Sequence, residues 1–136
     1  MSKSTCCSGL DTRSLLSSLW VFVLFNIIFK DLHEFFRQGF ISQIMTGTVN
    51  GVELTDGLML IAALPMEILI AMILLSRILK YKINRWTNII VAAIGIVSTI
   101  GTGVNDLDDI FFVTIIIVGL LAIIWLAWGW EDEQKE

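Results

Sequence analysis

The stretch LMLIAALPMEILIAMILLS, Leu58 to Ser76, decides the fold. Nine apolar or small residues precede Glu67 and mostly apolar ones follow it. At about 1.5 Å per residue a helix of roughly 20 such residues crosses a hydrocarbon core of about 30 Å, so the run reads as a membrane span. A carboxyl inside it is either a functional group or an expensive structural one, and it asks for a partner.

The rest of the chain agrees with that reading. Of 136 residues, 56% are hydrophobic and 16% charged, with one proline and a mean hydropathy of +0.82. A soluble domain carries roughly a quarter charged residues. Here the charges also gather in short clusters between long apolar runs, which is the pattern of a polytopic membrane protein. The net charge of -4 decides little, but the basic residues are few and sit at a membrane edge, so no nucleic-acid partner is expected. Cys6 and Cys7 are adjacent, so they form neither a disulfide framework nor a CxxC redox pair, and they read as part of a tail. The first apolar run is long and continues into charged residues without a small-residue cleavage site, so it is expected to stay in the mature protein.

Four segments are expected to span: residues 15–36, 58–79, 86–104 and 110–130. The fold class is therefore all-α, a bundle of four transmembrane helices forming a single integral membrane domain over residues 1–136. No internal repeat suggests an inverted-repeat transporter. Arg77, Lys80, Lys82 and Arg85 lie between spans two and three, with Lys3 and Arg13 before span one and Lys135 after span four. Only Lys30 and Arg37 fall on the other side, which places both termini in the cytoplasm. Trp86, Trp128 and Trp130 then belong to the cytoplasmic aromatic belt. The long extracytoplasmic connection RQGFISQIMTGTVNGVELTDG, Arg37 to Gly57, carries a hairpin signal, because Asn50-Gly51 supplies the positive φ values of a type I′ turn. Thr55 or Asp56 is placed to cap span two.

Polar residues within the spans are the candidate site. At about 100° per residue, Asn26, Lys30, His33, Glu34 and Arg37 share one arc of span one. Ala63 and Ala71 flank Glu67 at four-residue spacing, removing bulk from its face and allowing another helix to approach. Measured from the outer ends of the antiparallel spans one and two, Glu67 and Asn26 lie about 15 Å deep, with Lys30 one turn nearer the outside. Glu67, Lys30 and Asn26, with His33 and Glu34 above them, are therefore expected to form a proton, ion-pair or substrate site. One reading is a satisfied polar lock between spans one and two; the other is a proton-binding or substrate-binding site reached from outside.

Other constellations are weaker. Asp31, His33 and Glu34 with Asp106, Asp108 and Asp109 match no metal-binding pattern and read as a solvated acidic rim. Gly95, Thr99 and Gly103 permit close packing of span three. No Ser/His/Asp arrangement, phosphate loop or dinucleotide fingerprint is present, and neither a metal nor a cofactor is expected.

The stretch PMEILIAMILLSRILKYKINRWTNII, Pro65 to Ile90, resembles a family of small bacterial four-helix membrane proteins classed as a domain of unknown function. LWVFVLFNIIFKD, Leu19 to Asp31, and VNGVELT, Val49 to Thr55, fit the same pattern. The resemblance implies a four-helix integral membrane fold and a prokaryotic origin, and it carries no activity or catalytic residues; the inner membrane is the expected location. More distantly, the layout looks like that of DoxX-type membrane proteins.

The first functional expectation is a noncatalytic membrane component acting through helix partners, with the lipid bilayer and a homo-oligomer or membrane protein as its surroundings. The alternative is a small proton-coupled carrier in which Glu67 exchanges a proton for an amphiphilic or cationic solute. An integral membrane enzyme comes third.

Overall fold

The computed structural model describes residues 11–104 and 106–130. Cys6, Cys7, Lys3 and Lys135 lie outside them. Four helices are long and apolar enough to cross a membrane: α1 (Thr12–Glu34), α3 (Asp56–Ile78), α4 (Tyr81–Gly101) and α5 (Leu107–Trp128). Between α1 and α3 lie the short α2 (Phe40–Met45) and an antiparallel hairpin, β1 (Thr48–Val49) with β2 (Val52–Glu53). Asn50 and Gly51 turn that hairpin with φ of 50° and 80°, both in the left-handed region. The Thr55 hydroxyl caps α3 by accepting from the Leu58 amide.

The helices alternate in direction, which gives the molecule two ends. The hairpin end holds the α1–α3 connection and the α4–α5 loop. The termini end holds the start of α1, the α3–α4 turn and the end of α5. All four helices feed one core, including Leu16 and Trp20 from α1, Met72 from α3, Ala92 from α4 and Ile123 from α5. On α3, Leu69, Met72, Ile73 and Ser76 recur at the spacing of one helix face, and that face packs inward. At Gly119 an added Cβ would stand 2.8 Å from a Val23 methyl, so α1 and α5 approach through a position with no side chain.

Between helices in lipid, apolar contact alone supplies little net attraction, and hydrogen bonds across the interface add to it. The termini half is held by such a group. Trp20 Nε1 donates to Asn88 Oδ1 at 2.6 Å, and Asn88 Nδ2 donates to the Asn84 carbonyl and to Asn84 Oδ1. Asn84 Nδ2 donates to the Ser76 carbonyl at 2.6 Å. The Ser76 hydroxyl lies within reach of both the Met72 carbonyl and Asn88 Oδ1, and Ser17 Oγ donates to the Ile73 carbonyl. Trp20, Ser76, Asn84 and Asn88 are fully buried, so α1, α3 and α4 are joined through a closed polar centre. Nearer the chain ends, the Tyr81 hydroxyl donates to the Trp130 carbonyl and Arg85 to the Trp128 carbonyl.

Lys82 and Arg85 therefore sit in the first turns of α4, whereas the sequence placed them in the preceding loop. Lys80 is the N-cap of that helix, which leaves a very short turn after α3. Beyond the polar centre α3 and α4 touch sparingly. Their separation toward the hairpin end makes room for the cavity described below.

Replacing Asn88 by Leu leaves the Trp20 indole donor without an acceptor, and Trp20→Phe removes that donor. Each single substitution is expected to lower stability by about 1–2 kcal/mol. The double variant is expected to lose clearly less than the two together, read by unfolding in bicelles.

Candidate functional site

Charged side chains converge at the hairpin end. Lys30 Nζ, near the end of α1, lies 3.3 Å from Asp109 Oδ1 and 3.9 Å from Glu34 Oε1. Asp109 is 3% exposed, and the Lys30 ammonium is one of the groups that compensates its burial. Asp108 and Asp109 also occupy the first turn of α5, where the partial positive charge of a helix N-terminus favours carboxylates. Arg37 pairs with Glu34, and its Nε lies 3.7 Å from Asp106. His33 faces Asp108 at 3.7 Å and meets Phe112 edge-on. His33, Glu34, Phe36, Arg37 and the three aspartates line a cavity of about 220 Å³ between α1 and the start of α5. The network clasps α1 to α5, and its peripheral pairs are exposed enough to contribute little individually.

A second, larger cavity of about 360 Å³ lies among α1, α3, α4 and α5. Its walls are mainly apolar, with Val23, Ile27, Leu69, Ile94 and Leu120 among them, and Lys30 and Asp31 stand at its charged end. Pro65 lines it from within α3, where the ring denies the Ile61 carbonyl its usual helical donor.

Of the residues expected to form one site, the structure brings Lys30, Glu34 and His33 together at the hairpin end. The other two lie elsewhere. Asn26 Nδ2 donates to the Phe22 carbonyl of its own helix. Glu67 is exposed and makes no hydrogen bond or ion pair among the described residues. Glu67 meets neither Asn26 nor Lys30, the partners expected for it on span one. The inward face of α3 runs through Leu69, Met72, Ile73 and Ser76, and a position two residues before Leu69 is rotated about 160° away from it. On Glu67's side, Ala63 is exposed as well and Ala71 is half-buried.

The acidic rim also divides: Asp106 and Asp108 are exposed, whereas Asp109 is buried against Lys30. A cation closing span one and a carboxylate opening span four, at the same end of the molecule, are the sequence signal for that pair. The Asn84–Asn88 centre went unread, although two amides four residues apart in an apolar helix announce a shared inward face. On α4, Gly95 faces Leu120 and Thr99 donates to the Gly95 carbonyl, whereas Gly103 lies past the helix end with φ of 76°.

Four apolar helices around a shared core, with polar groups inside and apolar side chains outside, define a multi-pass membrane protein. The chain belongs to the family described as DUF6326, a family of unknown function, whose model matches residues 9–136. No curated protein and no solved structure matches it.

The Lys30–Asp109 pair carries a direct expectation. Lys30→Met removes the cation 3.3 Å from the buried Asp109 carboxylate and is expected to lower stability by about 2–3 kcal/mol in thermal unfolding. Combining Lys30→Asp with Asp109→Lys is expected to recover part of that loss, whereas His33→Ala changes stability by less than about 1 kcal/mol.

Proposed function

We propose that the chain is a noncatalytic component of the cell (inner) membrane that works by helix association, with a second copy of itself seated on the outward face of α3. The observation that carries this reading is Glu67, exposed in the middle of that face and without a partner among the described residues. Only 6% of the apolar stretch of α3 is buried inside the structure, against 33% of that of α5, so α3 has the most surface left to pack. A carboxyl facing hydrocarbon is costly, and the cost falls when another polar group reaches it. In a two-fold pair with parallel orientation, residue meets equivalent residue at the same depth. Two Glu67 carboxyls then share a proton and hydrogen-bond each other. Ala63 and Ala71, one turn to either side, allow the backbones to close in.

The basic residues Arg13, Arg77, Lys80, Lys82 and Arg85 all gather at the termini end, which supports an orientation with both termini in the cytoplasm. The carrier reading requires Glu67 to meet a solute path, and Glu67 lines neither cavity.

Cysteine cross-linking in native membranes tests the association. With Cys6 and Cys7 replaced by Ser, Ala63→Cys and Ala71→Cys are expected to form disulfide-linked dimers on mild oxidation. Added to either, Glu67→Leu reduces the dimer several-fold, whereas Glu67→Gln, which still hydrogen-bonds to its own kind, keeps it. Absence of cross-links from both cysteine positions at high expression would overturn the reading.

A further inference from the structure

The larger cavity combines an apolar interior with a particular balance of charge at its end. Its volume of about 360 Å³ falls at the small end of the roughly 300–1,000 Å³ range of small-molecule sites. The polar groups on its walls are mostly spent. Thr99 Oγ1 donates to the Gly95 carbonyl at 2.7 Å and Thr102 Oγ1 to the Thr99 carbonyl at 2.8 Å. Lys30 is held between Asp109 and Glu34. Asp31 differs: it lines the cavity, is exposed, and makes neither a hydrogen bond nor an ion pair among the described residues.

The charge left over at this end is therefore negative. Lys30 and Arg37 stand against Asp31, Glu34, Asp106, Asp108 and Asp109, so the surrounding field draws cations toward the opening. An anionic head group would meet a lysine already neutralised by two carboxylates and an aspartate that repels it. A neutral apolar molecule would fill the walls and leave the Asp31 carboxylate with only the field of Lys30 beside it.

We propose that this cavity binds a cationic amphiphile of modest size, its ammonium on the Asp31 carboxylate and its apolar body between α1, α3, α4 and α5. Val23, Ile27, Leu69 and Ile94 supply the apolar contact, while Asp31 selects the sign of the head group. The site uses neither Glu67 nor the outward face of α3, so it is independent of self-association.

The test is calorimetric titration of the chain in zwitterionic lipid nanodiscs, with empty nanodiscs subtracted. Octyltrimethylammonium is the probe and octyl sulfate its anionic counterpart. Saturable binding of the cation is expected, at least tenfold tighter than any binding of the anion. Asp31→Asn weakens cation binding about tenfold. Leu69→Trp, which fills the cavity, removes it, and circular dichroism of both variants checks that the helices are retained. Asp108→Asn, outside this cavity, changes affinity by less than about twofold. No saturable binding of the cation, equal affinity for the two head groups, or an unchanged affinity in Asp31→Asn would each overturn the proposal. So would an equal loss in Asp108→Asn, which would assign the attraction to the general acidic field instead.

Discussion

The arrangement depends on the hydrogen bonds that close around Asn88. Surrounded by hydrocarbon, helices gain little by burying apolar side chains against each other, so association rests on close fit and on polar groups better satisfied together than apart. Trp20 from α1, Ser76 from α3 and the Asn84–Asn88 pair of α4 meet these terms in one buried centre. Asn88 is suited to the junction because its amide both accepts from the indole and donates to Asn84. A purely donating or purely accepting side chain would leave one neighbour unsatisfied.

The two ends of the molecule are held by different physics. At the termini end, neutral amides, a hydroxyl and an indole join three helices. At the hairpin end, full charges join α1 to α5 through Lys30 and Asp109. Thus α1 takes part in both, while the first half of α3 is tied mainly through the hairpin and its own apolar contacts. The larger cavity lies beside that less constrained half. Packing and openness are in this way allotted to separate parts of a small chain.

Much of the fold was legible in the sequence because its signals are local. Four apolar runs, the Asn50-Gly51 turn and the Thr55 cap each depend on a few neighbouring residues and on backbone geometry. The candidate site was legible only in part. The hairpin-end grouping of Lys30, His33 and Glu34 follows from helical periodicity. The direction of Glu67 does not, because a uniformly apolar helix offers no polar face against which its inward side can be judged. Small residues beside Glu67 suit a neighbour within the chain or outside it equally well, and only the positions of Met72 and Ser76 distinguish the two. Asp109 escaped for a related reason: an acid at a helix start reads as solvated until its partner on a distant helix is known.

The connection between α1 and α3 bears on how the protein rides in its bilayer. Its backbone needs are largely met internally: the Leu54 amide donates to the Gly47 carbonyl, the Asn50 amide to the Gln43 side chain, and α2 closes its own turn. Meanwhile Phe36, Ile41 and Met45 face outward. A segment that asks little of water and offers apolar side chains is suited to a head-group layer. Held at that level and joined to two helices at once, such a segment would pass a change in bilayer thickness to the tilt of α1 and α3.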